Sequence, residues 1–241
     1  MRTAIVTGAS RGIGNAIARR LAQDGARVVL CARDEELLKA TAWDIGDNAL
    51  TVALDLRLPE SAAKVVDAAV AKFGTVDIVV NNAGATKRGE FESLTDDDFI
   101  DGFALKYFCA VRMTRAAWPY LKKQAGSVVN IVGVGGRTPS GQFTIGGSVN
   151  AAVLAFTKAM SEVGIRDGVQ VNAINPGPVR TDRLAQRLKT TSEEAFMRES
   201  RIARIGEPED IAAMVAFILS SHGRLLQGSL IDMDGGQTKT I

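Results

Sequence analysis

The chain has 241 residues, 46% of them hydrophobic, and its 29 basic and 27 acidic side chains leave a net charge of only +2. That balance supplies no general field for nucleic acid or an acidic membrane, so neither is expected as a partner. With one histidine, His222, and two cysteines, Cys31 and Cys109, far apart in sequence, there is no material for a Ser/His/Asp triad, a histidine-built metal site or a redox pair.

In chain order, a strand is expected at residues 4–6. It runs into Gly8, Gly12 and Gly14 and then into a helix at 14–23 whose Ile13, Ile17, Ala18 and Leu21 share an apolar face. Further strands are expected at 27–31, 50–54, 78–80, 127–131, 169–174 and 229–233, with helical segments between them. Strands alternating with helices predict one α/β domain over residues 1–241, a Rossmann-like doubly wound parallel sheet of about seven strands covered on both faces. Residues 180–204 break the rhythm, being helical and amphipathic with no following strand. They are expected either as a lid over the substrate or as a solvated helical pair. No apolar run is long enough to span a bilayer, and the first strand leaves no room for a signal peptide, so a cytoplasmic location is expected.

The spacing G-x-x-x-G-x-G between a strand and a helix predicts a cradle for the pyrophosphate of a dinucleotide. Gly8, Ser10, Arg11, Gly12, Ile13 and Gly14 offer close backbone approach and unpaired N–H groups at a helix start. After the second strand come Ala32 and Arg33, where an acidic residue would instead bind a ribose 2′-hydroxyl. Arg33 with Arg11 predicts a clamp on a 2′-phosphate, hence NADP(H), while the adjacent Asp34 keeps NAD(H) open as the less favoured choice.

Thr7, Gly8, Gly12 and Gly14, then Asp55, then Asn81, Asn82, Ala83 and Gly84, then Asn130, then Asn175, Pro176 and Gly177, occur in the order and spacing of the short-chain dehydrogenase/reductase family. The chain resembles that family over residues 3–236. The resemblance implies an oxidoreductase acting on a carbonyl/alcohol pair. It implies adenine contact by Asp55 and Leu56, sheet and cofactor support by Asn82, Ala83 and Gly84, and nicotinamide contact by Pro176, Gly177, Val179 and Thr181. It also implies a homodimer or homotetramer, commonly through the helix at 150–163.

The same resemblance places a Y-x-x-x-K pair and a preceding serine at the catalytic end. Here those three places hold Gly146, Asn150 and Gly133, and neither tyrosine, Tyr107 or Tyr120, is followed by lysine at the fourth position. Where the family often carries an asparagine, this chain has Lys106. A desolvated lysine there would serve as acid or electrostatic stabiliser, and the alternative is that it fills volume and pairs with an acid. Activity by such an altered route therefore stands beside a second possibility, an NADP(H)-binding protein without turnover that acts as sensor or partner. Lys87, Arg88, Arg137, Arg180, Arg183, Arg187 and Lys189 around the expected mouth predict an anionic substrate, such as a carboxylate or an acyl thioester, unless they form a solvated helix face.

Overall fold

The computed structural model describes residues 1–239. Seven β-branched runs pair as one parallel sheet: β1 (Thr3–Thr7), β2 (Arg27–Ala32), β3 (Ala49–Ala53), β4 (Ile78–Asn81), β5 (Ser127–Ile131), β6 (Gln170–Pro176) and β7 (Leu230–Met233). Their order is β3-β2-β1-β4-β5-β6-β7. The winding direction therefore reverses between β1 and β4, and ligands of open α/β sheets bind in the crevice outside the strand carboxyl ends at such a reversal.

Every central strand is buried on both sides, and its residues alternate between two cores. Ala4, Val6, Val28, Leu30, Ile78, Val80 and Val129 face one core, and Ile5, Val29, Val79 and Val128 face the other. The helices are α1 (Gly12–Gln23), α2 (Glu35–Ile45), α3 (Ser61–Phe73), α4 (Asp96–Gly102), α5 (Cys109–Gln124), α6 (Thr144–Asp167), α7 (Asp182–Arg187), α8 (Glu193–Ser200) and α9 (Pro208–Leu219). Ile17 and Leu21 of α1 meet Ile211, Val215 and Ile218 of α9 in the first core. In the second, Val65 and Ala69 of α3 meet Met113, Ala117 and Leu121 of α5.

The expected strands all form, with ends displaced by one or two residues. The larger difference lies in α6. Helix was expected from residue 150, but it begins at Thr144, so Gly146 and Asn150 both lie inside it. Its early glycines do not break it because they are buried against neighbouring loop and ring atoms. Residues 180–204 fold as α7 and α8 around a small cluster of Leu184, Phe196, Ile202 and Ile205. Cys31 and Cys109, distant in sequence, meet in the second core as free buried thiols. Burial pushes both up, Cys109 to about 12, which leaves them unreactive packing residues.

Candidate active site

The glycine turn between β1 and α1 is built by contacts only glycine permits. Gly8 and Gly12 have φ of +68° and +55°. A Cβ on Gly14 would collide with the carbonyl of Gly8 and the amide of Asn82. Gly8 N–H donates to the Cys31 carbonyl at 2.7 Å, which ties the turn to the end of β2. At the start of α1, Arg11 occupies the cap position, yet no side chain caps the helix and its first turn carries no acid. Its first N–H groups and positive dipole end are thus left without a side-chain cap, a donor set that fits a pyrophosphate.

β4 carries the buttress for this turn. Thr7 Oγ1 accepts from the N–H groups of Asn82 and Ala83, both at 2.9 Å, and Asn82 Nδ2 donates to the carbonyls of Thr7 at 3.0 Å and Gly8 at 3.3 Å. Beneath it a buried chain runs across the sheet: Asn81 Nδ2 donates to Asn130 Oδ1 at 2.8 Å, and Asn130 Nδ2 to Thr157 Oγ1 at 2.8 Å. Such a network, paired at nearly every step, fixes the carboxyl ends of β4 and β5 relative to α6. From the far side, Thr181 comes over Gly12, where a Cβ would lie 3.2 Å from its methyl group. Gly177 packs so closely on Asp234 that a Cβ would be 2.7 Å from the Asp234 Cα. Pro176 and Val179 are buried beside it.

At the end of β2 the side chains divide their tasks. Arg33 is exposed and makes no hydrogen bond or ion pair with any described residue, whereas Asp34 caps α2, its Oδ1 accepting from the Leu37 N–H at 3.2 Å. The carboxylate that kept NAD(H) open is therefore committed to a helix cap. Arg11 is not in contact with Arg33; it lies 3.7 Å from Asp182, and both partners are exposed. Leu56 is buried. The Asp55 carboxylate already accepts from the Arg57 N–H at 2.9 Å.

The catalytic end holds a residue that sequence reasoning missed. The ring of Phe143 fills the space beside Gly146, where any Cβ would strike the ring, and a Cβ on Gly135 would come within 3.0 Å of it. The guanidinium of Arg88 lies over this ring, 3.8 Å from its centroid. Gly133 has φ +126°, a conformation that disfavours serine, and a Cβ there would lie 3.2 Å from Asn150 Nδ2. The Asn150 side chain is buried and makes no hydrogen bond with any described residue. The three altered positions are thus one repacked unit around Phe143. Its only trace in the sequence is an aromatic residue among glycines at 133, 135, 136, 146 and 147.

Lys106 lies on a π-helical stretch, Phe103–Phe108, between α4 and α5, an irregularity often found at functional sites. Its stem passes Gly84, where a Cβ would be 2.9 Å from Lys106 Cδ, and Nζ donates to the Val132 carbonyl next to Gly133. The ammonium thus sits between the ends of β4 and β5. It has no carboxylate partner among the described residues, so the expectation that it pairs with an acid is not met there. Burial, and secondarily nearby Arg183, lower its pKa from 10.5 to about 7. Tyr107, one residue on, packs instead among Phe103, Phe108 and Phe156.

The basic residues at the mouth do not act alike. Lys87 pairs with Asp98 at 2.8 Å, Arg137 with Asp232 at 3.1 Å, and Arg180 with both Glu193 and Glu207 at 2.9 Å. Arg88, Arg183 and Arg187 have no carboxylate in ion-pair range among the described residues. Arg183 donates to the Gly84 carbonyl at 3.0 Å, beside the stem of Lys106.

A family model described as Enoyl-(Acyl carrier protein) reductase matches residues 8–238. An uncharacterized oxidoreductase of Mycobacterium tuberculosis is 37% identical over 98% of this chain and 92% of its own length. A 3-oxoacyl-(acyl-carrier-protein) reductase of Vibrio cholerae is 34% identical over 98% of this chain and 96% of its own. An NADPH-bound short chain oxidoreductase of Pseudomonas aeruginosa, described as containing an atypical catalytic center, superposes with a TM-score of 0.94 at 27% identity, covering 100% of this chain and 98% of that one. No helix among the described residues is long and apolar enough to cross a membrane. With its motifs, its parallel sheet and a match across nearly its whole length, the chain belongs to the short-chain dehydrogenase/reductase family.

Proposed function

We propose that this protein is an NADP(H)-dependent oxidoreductase that interconverts a carbonyl and an alcohol, with Lys106 as the proton donor in the reducing direction. The observation that carries the proposal is the position of Lys106, without an acid partner among the described residues, at the strand ends where the nicotinamide is expected. The cofactor, when bound, supplies or accepts the hydride. The uncapped start of α1 with Gly8, Ser10, Gly12, Ile13 and Gly14 would hold its pyrophosphate, and Arg11 and Arg33 its 2′-phosphate. Asp55 and Leu56 would flank the adenine. Asn82, Ala83 and Gly84 would line the middle of the crevice, and Pro176, Gly177, Val179 and Thr181 its nicotinamide end.

Lys106 would give its Nζ proton to the oxygen that becomes the hydroxyl and be left neutral, to be reprotonated from solvent. A pKa near 7 suits that task, because a proton donor works best when its pKa lies near the operating pH. Residues 180–204, with Thr181 over the glycine turn, would close over the substrate, and the assembly would be a homodimer or homotetramer acting in the cytoplasm. The Phe143 ring beside Gly146 favours a second reading, an NADP(H)-binding protein without turnover.

The test is to mix the protein with NADPH and a panel of ketones and oxoacyl thioesters and follow loss of the reduced nicotinamide. Turnover that Lys106→Ala abolishes supports the proposal. Tight NADPH binding with no consumption across the panel supports the second reading.

A further inference from the structure

Arg183 lies near Lys106, Arg88 lies near both Arg187 and Arg183, and none of the three arginines pairs with an acid among the described residues. Arg183 is anchored on the Gly84 carbonyl, Arg88 lies over the ring of Phe143, and Arg187 rests over the ring of Phe196, 4.9 Å from its centroid. Burial lowers the Arg88 pKa, as do Arg187 and then Arg183, which places the three guanidiniums in one field. Nearby basic residues with the same freedom, Lys87 and Arg180, have found carboxylates. All three side chains are exposed, so water screens their repulsion, but like charges held close together still favour an anion that joins them, and a guanidinium held over an aromatic ring presents its N–H fork to a carboxylate with little further ordering.

We infer that the substrate carries its own carboxylate, taken by Arg88 with Arg187, a few atoms from the carbonyl that faces Lys106. This rests on the reading of the cleft given above and narrows its substrate to oxo acids or the corresponding hydroxy acids. Neutral ketones and the thioesters of larger carriers lack the group that this cluster is arranged to receive. Phe143 then has a positive role: in the place where the resemblance puts a tyrosine, its ring supports the anion-binding guanidinium.

The experiment pairs oxo acids of differing chain length with their methyl esters, using NADPH consumption for turnover and calorimetry on the NADPH complex for binding. Non-reducible alkyl carboxylates serve as binding probes. The inference expects kcat/KM for at least one acid to exceed that of its ester tenfold or more, with the ratio collapsing toward one in Arg88→Gln. It also expects carboxylate binding that weakens tenfold or more in Arg88→Gln and in Arg187→Gln, with circular dichroism unchanged. Arg88→Lys, which keeps the charge and loses the fork, should fall between. Carboxylate binding that depends on these arginines without any turnover would uphold the carboxylate site but overturn both the catalytic reading and the assignment of oxo acids as substrates. Turnover with acids and esters alike, or no carboxylate binding at all, would overturn it and leave the catalytic reading to its own test.

Discussion

The two ends of the crevice lie on the same strand ends but are specified in different ways. At the β1–α1 turn the structure depends on backbone: positive φ at Gly8 and Gly12, a Gly14 with no room for a methyl group, and side chains from Thr7 and Asn82 that bind only main-chain atoms. Between β5 and α6 the scaffold below is equally rigid, through Asn81, Asn130 and Thr157, but the surface facing the crevice is made of exchangeable side chains. Phe143, Asn150 and Lys106 occupy it together. The lesson is that backbone geometry tolerates no substitution, whereas a side-chain constellation can be replaced as a set provided that the set repacks.

The largest effect should come from the side-chain end. Lys106→Met is expected to lower kcat by roughly 10²–10⁴-fold, the usual contribution of a positioned acid. The same substitution should stabilise the fold at neutral pH. The folded-state pKa of Lys106 is depressed from 10.5 to about 7, so between those values the unfolded chain binds the additional proton. Stability should therefore rise with pH across that window in the wild type, and below it the charged lysine costs a few kcal/mol. Lys106→Met should remove the slope and raise the melting temperature at pH 7, measured by calorimetry at several pH values.

Next comes a pair of glycine substitutions that contrast the two ends. Gly14→Ala would drive a methyl into the Gly8 carbonyl, and a backbone shift is the only relief, so a loss of about 1–3 kcal/mol together with loss of NADPH binding is expected. Gly146→Ala meets first the Phe143 ring and should lose a similar amount, but here Phe143→Ala in the same chain should restore most of it. If the second substitution failed to rescue, the catalytic end would be as fixed as the glycine turn and the contrast would fail.

Smaller effects separate Arg33 from Asp34. Arg33→Ala is expected to weaken NADPH binding by about 1.5–3 kcal/mol, the range for a hydrogen bond to a charged group, and to leave NADH binding nearly unchanged. Asp34→Ala should cost about 1 kcal/mol in unfolding free energy as a lost cap, with the ratio of NADPH to NADH affinity unaltered. A shift in that ratio would place Asp34 in the ribose pocket.

How much of this was legible in the sequence follows the same division. Strands alternating between two buried faces must be apolar throughout, so all seven could be placed within a residue or two. Glycines forced by backbone geometry are likewise visible by spacing. The start of α6 was not legible, because Gly146 and Gly147 have little intrinsic preference for helix and only the fold packs them against Phe143, Gly135 and Pro139. Lys106 could be picked out by position, but its lack of an acid partner among the described residues could not, since the Val132 carbonyl that accepts from it lies just past the end of β5, far along the chain. The seven basic residues of the mouth looked alike in the chain. Only folding pairs Lys87, Arg137 and Arg180 with acids and leaves Arg88, Arg183 and Arg187 without them.

The most direct test of the central claim is the pH dependence of kcat/KM for NADPH-driven reduction of the best substrate in the oxo-acid and ester panel. If the Lys106 ammonium donates the proton, the wild-type rate should be level in acid and fall tenfold per pH unit above about 7, while Lys106→Met, slower throughout, should show no such break. A break near 7 that survives in Lys106→Met, or a wild-type profile that stays level into the alkaline range, would contradict the account.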